Sequence, residues 1–261
     1  MGHVALYDEF SADYDRFVDW AGRLQVELPF IEERLLAVGA RRVLDAACGT
    51  GAHALALAER GYQVIGADPS TGMIDRARQV ATDRGLDVDF VVAGFGQMAA
   101  LAGNSFDAVL CLGNSLPHAL SSESLQDTLL DWASCLRSGG LLLIQNRNFD
   151  AIVSQSLRWT EPQSHREGDE EWIFLRFYDF VGDGLLNFHV VTLHRRDLAE
   201  WEQRISSTQL RPILRADLLE ALQKSHFDHG GVWGDMQGQL FAEVRSPNLV
   251  IAATRSASTF R

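Results

Sequence analysis

The sequence predicts an α/β fold in which a doubly wound, mostly parallel sheet of seven strands carries a small antiparallel β insertion. Three observations support this prediction. Strand-like and helix-like segments alternate over residues 1–150, a glycine-rich turn follows the first strand, and extended alternating segments take over after about residue 150. Strands that alternate with helices are typical of a parallel sheet with helices on both faces.

The elements of the first part follow from hydrophobic spacing. Residues 11–38 have a helical pattern, in which Pro29 is expected to mark a kink or a break between two helices. Helices are also predicted over residues 52–60, 70–82 and 125–136, the second capped by Ser70 and the third ended by residues 138–140. The predicted strands are residues 41–47, 62–67, 88–93, 106–112 and 141–145.

After residue 150 the pattern changes. Residues 154–171 are polar, and their acidic cluster at 167–171 is expected to form a solvated loop. Three alternating stretches then predict a small antiparallel sheet, with Gly182-Asp183-Gly184 as a hairpin turn. These stretches are residues 172–180, 185–194 and 201–210, and they are followed by a helix over 215–224 and strands at 231–233 and 248–253.

We therefore divide the chain into three segments. Residues 1–150 are expected to form N-terminal helices and a cofactor-binding core. Residues 151–211 are expected to form an inserted subdomain that covers the substrate, and residues 212–261 are expected to return to the core.

The composition narrows the classes of partner. The 261-residue chain carries a formal net charge of −12, which argues against nucleic acid and anionic membranes, because both attract clustered cations. The three cysteines lack the spacing of a disulfide framework, and no signal peptide is evident, so a cytoplasmic location is expected. No His or Cys spacing indicates a metal site. The sequence leaves a monomer and a homo-oligomer equally open.

The turn after the first strand is the candidate cofactor site. Gly49 and Gly51 allow the backbone to approach a ligand closely. The spacing Gly49-x-Gly51-x-x-Ala54 also fits a dinucleotide fingerprint, so NAD is one candidate. However, Asp45 beside this turn would repel a pyrophosphate and attract an ammonium group, while Asp68 suits the two hydroxyls of a ribose. S-adenosylmethionine, which carries an amine and a sulfonium but no phosphate, is therefore favoured.

Several segments resemble the class I S-adenosylmethionine-dependent methyltransferases. They are LDAACGTG at residues 44–51, the acidic Asp68 and FDAVLCLGNS at residues 106–115. Two segments, CLGNSLPHAL at 111–120 and IQNRNFDAIV at 144–153, are similar to the glycine and sarcosine N-methyltransferase branch. The resemblance implies a Rossmann-like fold, S-adenosylmethionine as cofactor with S-adenosylhomocysteine as product, and an antiparallel sheet inserted after the fifth strand.

The same resemblance implies a set of cofactor-binding residues. Ala47, Gly49 and Gly51 would line the methionine part of the cofactor. Asp45 would help to position its amine, and Asp68 would bind its ribose. The other residues that the likeness implies are Arg23 for the cofactor carboxylate, Met73 for the adenine, the Leu112 carbonyl near the methionine end, and Tyr14 in a helix that covers the cofactor.

The loop after the third strand departs from the superfamily pattern. An Asp that accepts a hydrogen bond from the adenine amine usually stands there, but residues 92–97 read VAGFGQ. Gln97 or a backbone carbonyl is expected to accept this hydrogen bond instead. The amide of Phe95 is expected to contact the adenine.

The resemblance also implies acceptor-binding residues. Arg147 would hold a substrate carboxylate, because a guanidinium binds a carboxylate through two parallel hydrogen bonds; pairing with Glu170 or Glu171 is the alternative. Asn114 would lie near the transferable methyl group, unless it only caps its turn. His118 is the first candidate for a base if the acceptor is a hydroxyl, and a packed polar residue otherwise.

The functional expectation is methyl transfer to a small molecule, preferably to the amine of an amino acid or a related small carboxylate. Residues 210–212, LRP, lack the tyrosine of the branch, which points away from glycine itself. Two alternatives stay open: an O- or C-methyltransferase of a secondary metabolite, and a cofactor-binding protein without catalysis.

Overall fold

The computed structural model describes residues 2–102, 106–197 and 199–257. Two helices, α1 (Gly2–Phe17) and α2 (Trp20–Ala37), precede the sheet. The expected break at Pro29 is wrong, because Pro29 lies inside α2. The break falls before Trp20, where the Asp19 side chain accepts a hydrogen bond from the Gly22 amide and starts a new helix. Burial of the neighbouring Leu28, Phe30 and Ile31 favours a continuous helix through Pro29.

The next elements alternate as predicted. The strands are β1 (Arg42–Asp45), β2 (Gln63–Asp68), β3 (Asp89–Val92), β4 (Phe106–Cys111) and β5 (Leu136–Arg147), and the helices between them are α3 (Ala52–Ala58), α4 (Thr71–Arg84), α5 (Met98–Ala102) and α6 (Ser122–Cys135). Ser70 caps α4, as predicted, by accepting a hydrogen bond from the Met73 amide.

Strand β5 begins earlier than the sequence suggests. Residues 138–140 do not form a separate turn after α6; they form an irregular part of β5, whose pairing with β4 shifts between Leu136 and Leu141. A side chain at Gly140 would lie 3.1 Å from the Asp107 carbonyl oxygen, so the two strands can approach here only without a Cβ.

A second sheet follows β5. Helix α7 (Phe149–Ser154) leads into β6 (Gln163–Glu167), β7 (Glu170–Phe180), β8 (Leu186–Arg196) and β9 (Glu202–Leu210), which pair in sequence order as an antiparallel sheet. The expected loop at 167–171 is therefore wrong in part, because Glu170 and Glu171 begin β7 and Glu167 ends β6. The side chains of β6 are mostly exposed, and this edge strand lacks the apolar alternation that identifies a strand.

The chain then returns to the first sheet through α8 (Arg215–Lys224), β10 (Phe227–Trp233) and β11 (Asn248–Arg255). The seven-stranded sheet has the order β10-β11-β5-β4-β1-β2-β3. Only β11 runs antiparallel to its neighbours, because it pairs in that sense with both β10 and β5. The predicted fold class, a mostly parallel seven-stranded sheet with a separate antiparallel sheet, is confirmed. The division of the chain into three segments stays a prediction.

The parallel part of the sheet positions the site. Strands β1 and β4 are adjacent and parallel, so their carboxyl ends lie at one edge and the chain leaves both strands there. Two apolar clusters pack on the sheet, one around Trp132 and Phe106 and the other around Ile31 and Leu55. Within the described residues, no helix is both long enough and apolar enough to cross a membrane.

Candidate active site

The turn after β1 brings the backbone close to a cleft. Gly49 and Gly51 have φ angles of 54° and 83°, in the left-handed region that favours glycine. A Cβ at Gly51 would lie 2.8 Å from the Phe90 ring, so the first turn of α3 can pack here only without a side chain. The nearest atom to a Cβ at Gly49 would be on the Tyr14 ring, 3.7 Å away, so Gly49 and Tyr14 form opposite walls of a narrow space.

Asp68 closes one end of this space. Its carboxylate accepts hydrogen bonds from the Gly49 amide at 3.0 Å and from the Ser70 amide at 3.0 Å. Burial raises the pKa of Asp68 to about 6, although these two amides partly oppose the shift. The residue that was predicted to bind a ribose thus lines the cleft and shapes its floor through Gly49.

Asp45 lies behind the turn and is buried. Its Oδ2 atom has no hydrogen-bond partner among the described residues. Burial raises the pKa of Asp45 to about 6 even though nearby His53 and Arg23 favour the ionised form. An unpartnered carboxylate oxygen at such a site is the feature that an approaching ammonium would satisfy.

A narrow cleft of about 70 Å³ runs along this edge. Most of the residues predicted for the cofactor line it: Tyr14, Ala47, Gly49, Asp68, Met73 and Phe95. The other five predicted residues are not part of its lining: Arg23, Asp45, Gly51, Gln97 and Leu112. Gln97 lies in a neighbouring cleft, where its Oε1 accepts a hydrogen bond from the Gly94 amide, and Leu112 is buried, with its carbonyl accepting from the Ser115 hydroxyl.

Arg23 lines a second, larger cavity. Its guanidinium donates to Glu27 at 3.0 Å and to Gln145 at 3.4 Å. Gln145 also accepts from the Gly113 amide at 2.7 Å, and Glu27 lies 2.7 Å from the His53 ring. Burial opposes ionisation of Glu27, but the hydrogen bonds of His53 and Arg23 outweigh it and lower the pKa of this carboxyl. Arg23 is therefore held in place from two sides.

The larger cavity has a volume of about 480 Å³ and lies between the first sheet and the antiparallel sheet. Tyr7, Tyr14 and Gly113 line both the cavity and the cleft, so the two spaces adjoin. Asn114 and Arg147 also line the cavity.

Asn114 joins the turn after β4 to the end of β5. This residue has a φ of 67°, a backbone conformation that Asn tolerates better than most residues. Its side-chain oxygen accepts a hydrogen bond from the Arg147 amide at 2.8 Å. Asn114 therefore does more than cap its own turn, because its side chain also fixes the backbone of Arg147.

Arg147 does not pair with the acids that were considered for it. Glu170 is bound to His194 and Arg196, and Glu171 is bound to Arg166 and Arg195. The Arg147 side chain instead lies close to the Tyr178 hydroxyl, where its positive charge partly opposes the rise that burial causes in the pKa of Tyr178.

His118 lies on the cofactor side of the site. Its Nε2 atom is 2.9 Å from the Tyr7 hydroxyl, and the two rings meet edge to face. Burial raises the pKa of Tyr7 far above its ordinary value. His118 lines the narrow cleft, but it is absent from the described lining of the larger cavity. The structure therefore does not bring His118 together with Arg147.

Sequence reasoning missed two polar residues of the cavity, Gln145 and Arg176. Gln145 is mostly buried at the end of a run of aliphatic residues in β5, where a polar residue breaks the pattern. Arg176 stands in the buried row of β7, between Phe174 and Tyr178. The signal that could have identified both residues is a polar residue at a strand position where the pattern predicts an apolar one.

Comparison with known proteins agrees with this geometry. Residues 43–140 match a family described as a methyltransferase domain. Among curated proteins, the glycine/sarcosine N-methyltransferase of Aphanothece halophytica is 36% identical over 149 residues, which are 57% of this chain and 56% of that protein. The glycine N-methyltransferase of Mus musculus is 38% identical over 127 residues, 44% of this chain and 43% of that one. The chain thus spans about half the length of the curated relatives it matches.

Solved structures extend the likeness to the whole fold. A S-adenosylmethionine-dependent methyltransferase from Clostridium acetobutylicum has a TM-score of 0.78 at 16% identity, covering 96% of this chain and 99% of that one. An amino pentose methyltransferase from Micromonospora echinaspora, solved with S-adenosylmethionine, has a TM-score of 0.71 at 20% identity, covering 95% and 96%. Fold and cleft together thus define a Rossmann-like protein of the methyltransferase type.

Residues 43–140 thus match a methyltransferase domain, and the whole chain shares the fold of class I S-adenosylmethionine-dependent methyltransferases of known structure. S-adenosylmethionine is the cofactor of this class, and the described residues fit it. The carboxylate of Asp68 suits its ribose, and the cleft offers Met73 and Phe95 as apolar walls. Asp45 is buried behind the cleft, and its unpartnered Oδ2 adds negative charge that suits the amine of the cofactor.

Proposed function

We propose that this chain transfers a methyl group from S-adenosylmethionine to a small-molecule acceptor, preferably to the amine of an amino acid or a related small carboxylate. One observation carries the proposal. A cavity that adjoins the cofactor cleft contains Arg147, which has no carboxylate partner among the described residues. An arginine placed in this way favours an acceptor that brings its own carboxylate.

Each cofactor residue would bind a different part of S-adenosylmethionine. Asp68 would accept hydrogen bonds from the ribose, and Met73 and Phe95 would enclose the adenine. Asp45 would face the amine, while Arg23, held by Glu27 and Gln145, would pair with the carboxylate at the cavity end. This order places the sulfonium near Gly113, where the cleft and the cavity meet.

The bound cofactor supplies an activated methyl group, so the task of the protein is to align the acceptor and exclude water. Arg147 would hold the acceptor carboxylate, and Asn114 would keep the Arg147 backbone in register. An amine attacks only when it is neutral, so the rate should fall as the pH decreases. No dedicated base is required for such an acceptor.

Methyl transfer to a hydroxyl is the second candidate. It requires a base, and the contact between His118 and Tyr7 provides an imidazole close to the cofactor cleft. This imidazole lines the cleft rather than the cavity that contains Arg147, so the amine acceptor is favoured. In both cases the antiparallel sheet of residues 151–211 would cover the acceptor, as the proposed division of the chain implies.

The release of S-adenosylhomocysteine across a panel of acceptors tests the proposal. The panel contains glycine, sarcosine, dimethylglycine, other amino acids and several phenols, with Asp68→Ala as the blank. Turnover of an amino acid would support N-methylation. Turnover of phenols alone would move the assignment to O-methylation. Cofactor binding without any turnover would favour a binding protein.

Arg147→Leu then tests the acceptor carboxylate. If Arg147 holds it, the acceptor KM should rise at least tenfold while cofactor affinity is unchanged, because a charge-assisted hydrogen bond contributes about 1.5–3 kcal/mol. An unchanged KM would remove the main reason for preferring carboxylate-bearing acceptors.

A further inference from the structure

Strand β7 places a charged residue in an apolar row. Alternate residues of this strand share one face of the antiparallel sheet, and Trp172, Phe174 and Tyr178 on that face are buried. Arg176 occupies the remaining position of this row. It stands opposite Val190 of β8, and both residues line the large cavity. A guanidinium at such a position has lost much of its hydration and needs a compensating partner.

The protein supplies only part of that compensation. The guanidinium of Arg176 lies over the Phe17 ring at 4.6 Å, a cation–π contact. Its Nε atom has no hydrogen-bond partner among the described residues. Burial, and then the neighbouring charge of Arg147, lower the pKa of Arg176 to about 10. Arg176 therefore stays protonated at neutral pH, and its guanidinium faces the same cavity as that of Arg147.

The acids around the cavity are engaged elsewhere. Glu27 is bound to Arg23 and His53, and Asp19 caps α2 through the Gly22 amide. On β7 itself, Asp179 is bound to Arg158 and His189.

The remaining acids of β7, Glu170 and Glu171, are bound to other basic residues, as described above. No described carboxylate lies within 4.0 Å of the guanidinium of Arg147 or Arg176. In a chain of net charge −12, this unneutralised pair is a local exception that would attract anions.

We propose that the acceptor carries two negative charges, one bound by Arg147 and the second bound by Arg176. This inference rests on the proposed function only for the amine that receives the methyl group. The chemical class is an amine with two acidic groups, namely an amino dicarboxylate or an amino acid bearing a phosphate. The cavity volume of about 480 Å³ lies within the range that holds ligands larger than glycine.

Binding to the protein loaded with S-adenosylhomocysteine tests the inference without requiring turnover. Calorimetric titrations compare three pairs of probes that differ mainly in the second acidic group: aspartate with asparagine, glutamate with glutamine, and O-phosphoserine with serine. We expect the charged member of at least one pair to bind about ten- to a hundredfold more tightly, as a charge-assisted hydrogen bond predicts. The first two pairs identify a carboxylate, and the third identifies a phosphate.

Variants then assign the second charge. Arg176→Gln should reduce the preference to less than about threefold, and Arg176→Lys should restore part of it. Arg158→Gln is the matched control, because Arg158 lies over the Phe177 ring of β7, pairs with Asp179 and does not line the cavity. If Arg176 served only to pack on Phe17, its removal would weaken both members of a pair equally and leave the ratio unchanged.

The outcomes separate this inference from the proposed function. No preference in any pair, including no binding at all, overturns the inference even if neutral amines are methylated. A preference that survives in Arg176→Gln also overturns it. A preference that depends on Arg176 supports it, even if the same panel releases no S-adenosylhomocysteine and the proposed function fails.

Discussion

The narrow cleft lies at the glycine-rich turn after β1 and the end of β2, whereas the larger cavity is walled by side chains from the N-terminal helices and from both sheets. In the cleft, the Gly49 amide binds the Asp68 carboxylate directly, and the ligand-facing surface follows from the turn. In the cavity, Arg147, Arg176 and Tyr178 project from two different sheets. A cleft that depends on the backbone geometry of a glycine turn tolerates few substitutions. A cavity walled by side chains can acquire a different ligand specificity through substitution of those side chains.

The largest effect is expected at Asp68. Asp68→Ala removes the acceptor for two ribose hydroxyls and two backbone amides, so the affinity for S-adenosylhomocysteine should fall at least about a hundredfold. Isothermal titration calorimetry measures this loss. Asp75→Ala, which changes an exposed carboxylate of α4, is the control. An affinity within threefold of the wild-type value would show that backbone shape alone determines binding.

Cofactor affinity should depend on pH through the protonation of Asp45. Since burial raises the pKa of Asp45 and of Asp68 to about 6, both carboxylates become protonated as the pH falls below that value. Cofactor affinity should be constant above about pH 7 and should fall roughly tenfold or more between pH 7 and pH 5. Asp45→Asn should bind about tenfold more weakly at pH 8 and show a shallower pH dependence. Equal slopes for the two proteins would exclude Asp45 as a contributor.

The same substitution should stabilise the protein without cofactor. Between the ordinary value of 3.8 and the folded-state value of about 6, the folded protein binds more protons at Asp45 than the unfolded chain does. The free energy of unfolding therefore decreases as the pH rises through this window. Asp45→Asn removes this dependence and should raise the free energy of unfolding by about 1–3 kcal/mol at pH 7, with little effect near pH 3.5. Urea denaturation at both pH values measures the difference, and a less stable variant at pH 7 would contradict the account.

In the acceptor cavity, Tyr178→Phe should have a smaller effect. It removes the hydroxyl that contacts Arg147 but keeps the ring that packs on Phe149. The acceptor KM should rise about three- to tenfold, with kcat and cofactor affinity unchanged, because one hydrogen bond contributes about 0.5–1.5 kcal/mol. Steady-state kinetics at saturating cofactor gives this result. Tyr62→Phe, outside the described lining of both spaces, is a matched control.

The contrast between cleft and cavity also explains what the sequence could predict. Glycine spacing and strand-end carboxylates are local signals, so Gly49 and Asp68 were identified, and the mostly parallel sheet followed from the alternation of strands and helices. The contact between Arg147 and Tyr178 joins residues of different sheets, and no local pattern contains it. Strand β6 was missed because an exposed edge strand needs no apolar row. The contact of His118 with Tyr7 was likewise not predicted, because Tyr7 reaches it from the N-terminal helix.

The smallest effect is expected at the hydrogen bonds between α1 and the N-terminus of α4, beside the cleft. Ser70 caps α4 and donates to Asp8 of α1 at 2.5 Å, while Asp8 also accepts from the Gly72 amide. Ser70→Ala should lower the free energy of unfolding by about 1 kcal/mol, the usual contribution of an N-cap.

Ser121→Ala is the matched control, because Ser121 caps α6 by accepting from the Ser124 amide and has no described contact with α1. Both variants should lose similar stability in urea denaturation. Only Ser70→Ala should release S-adenosylhomocysteine faster, about two- to fivefold, since the bond that fastens α1 beside the cleft contributes about 0.5–1.5 kcal/mol. Equal release rates in the two variants would mean that α1 does not retain the cofactor. Tyr7 and Tyr14 of α1 would then line the cleft without slowing the release of the ligand.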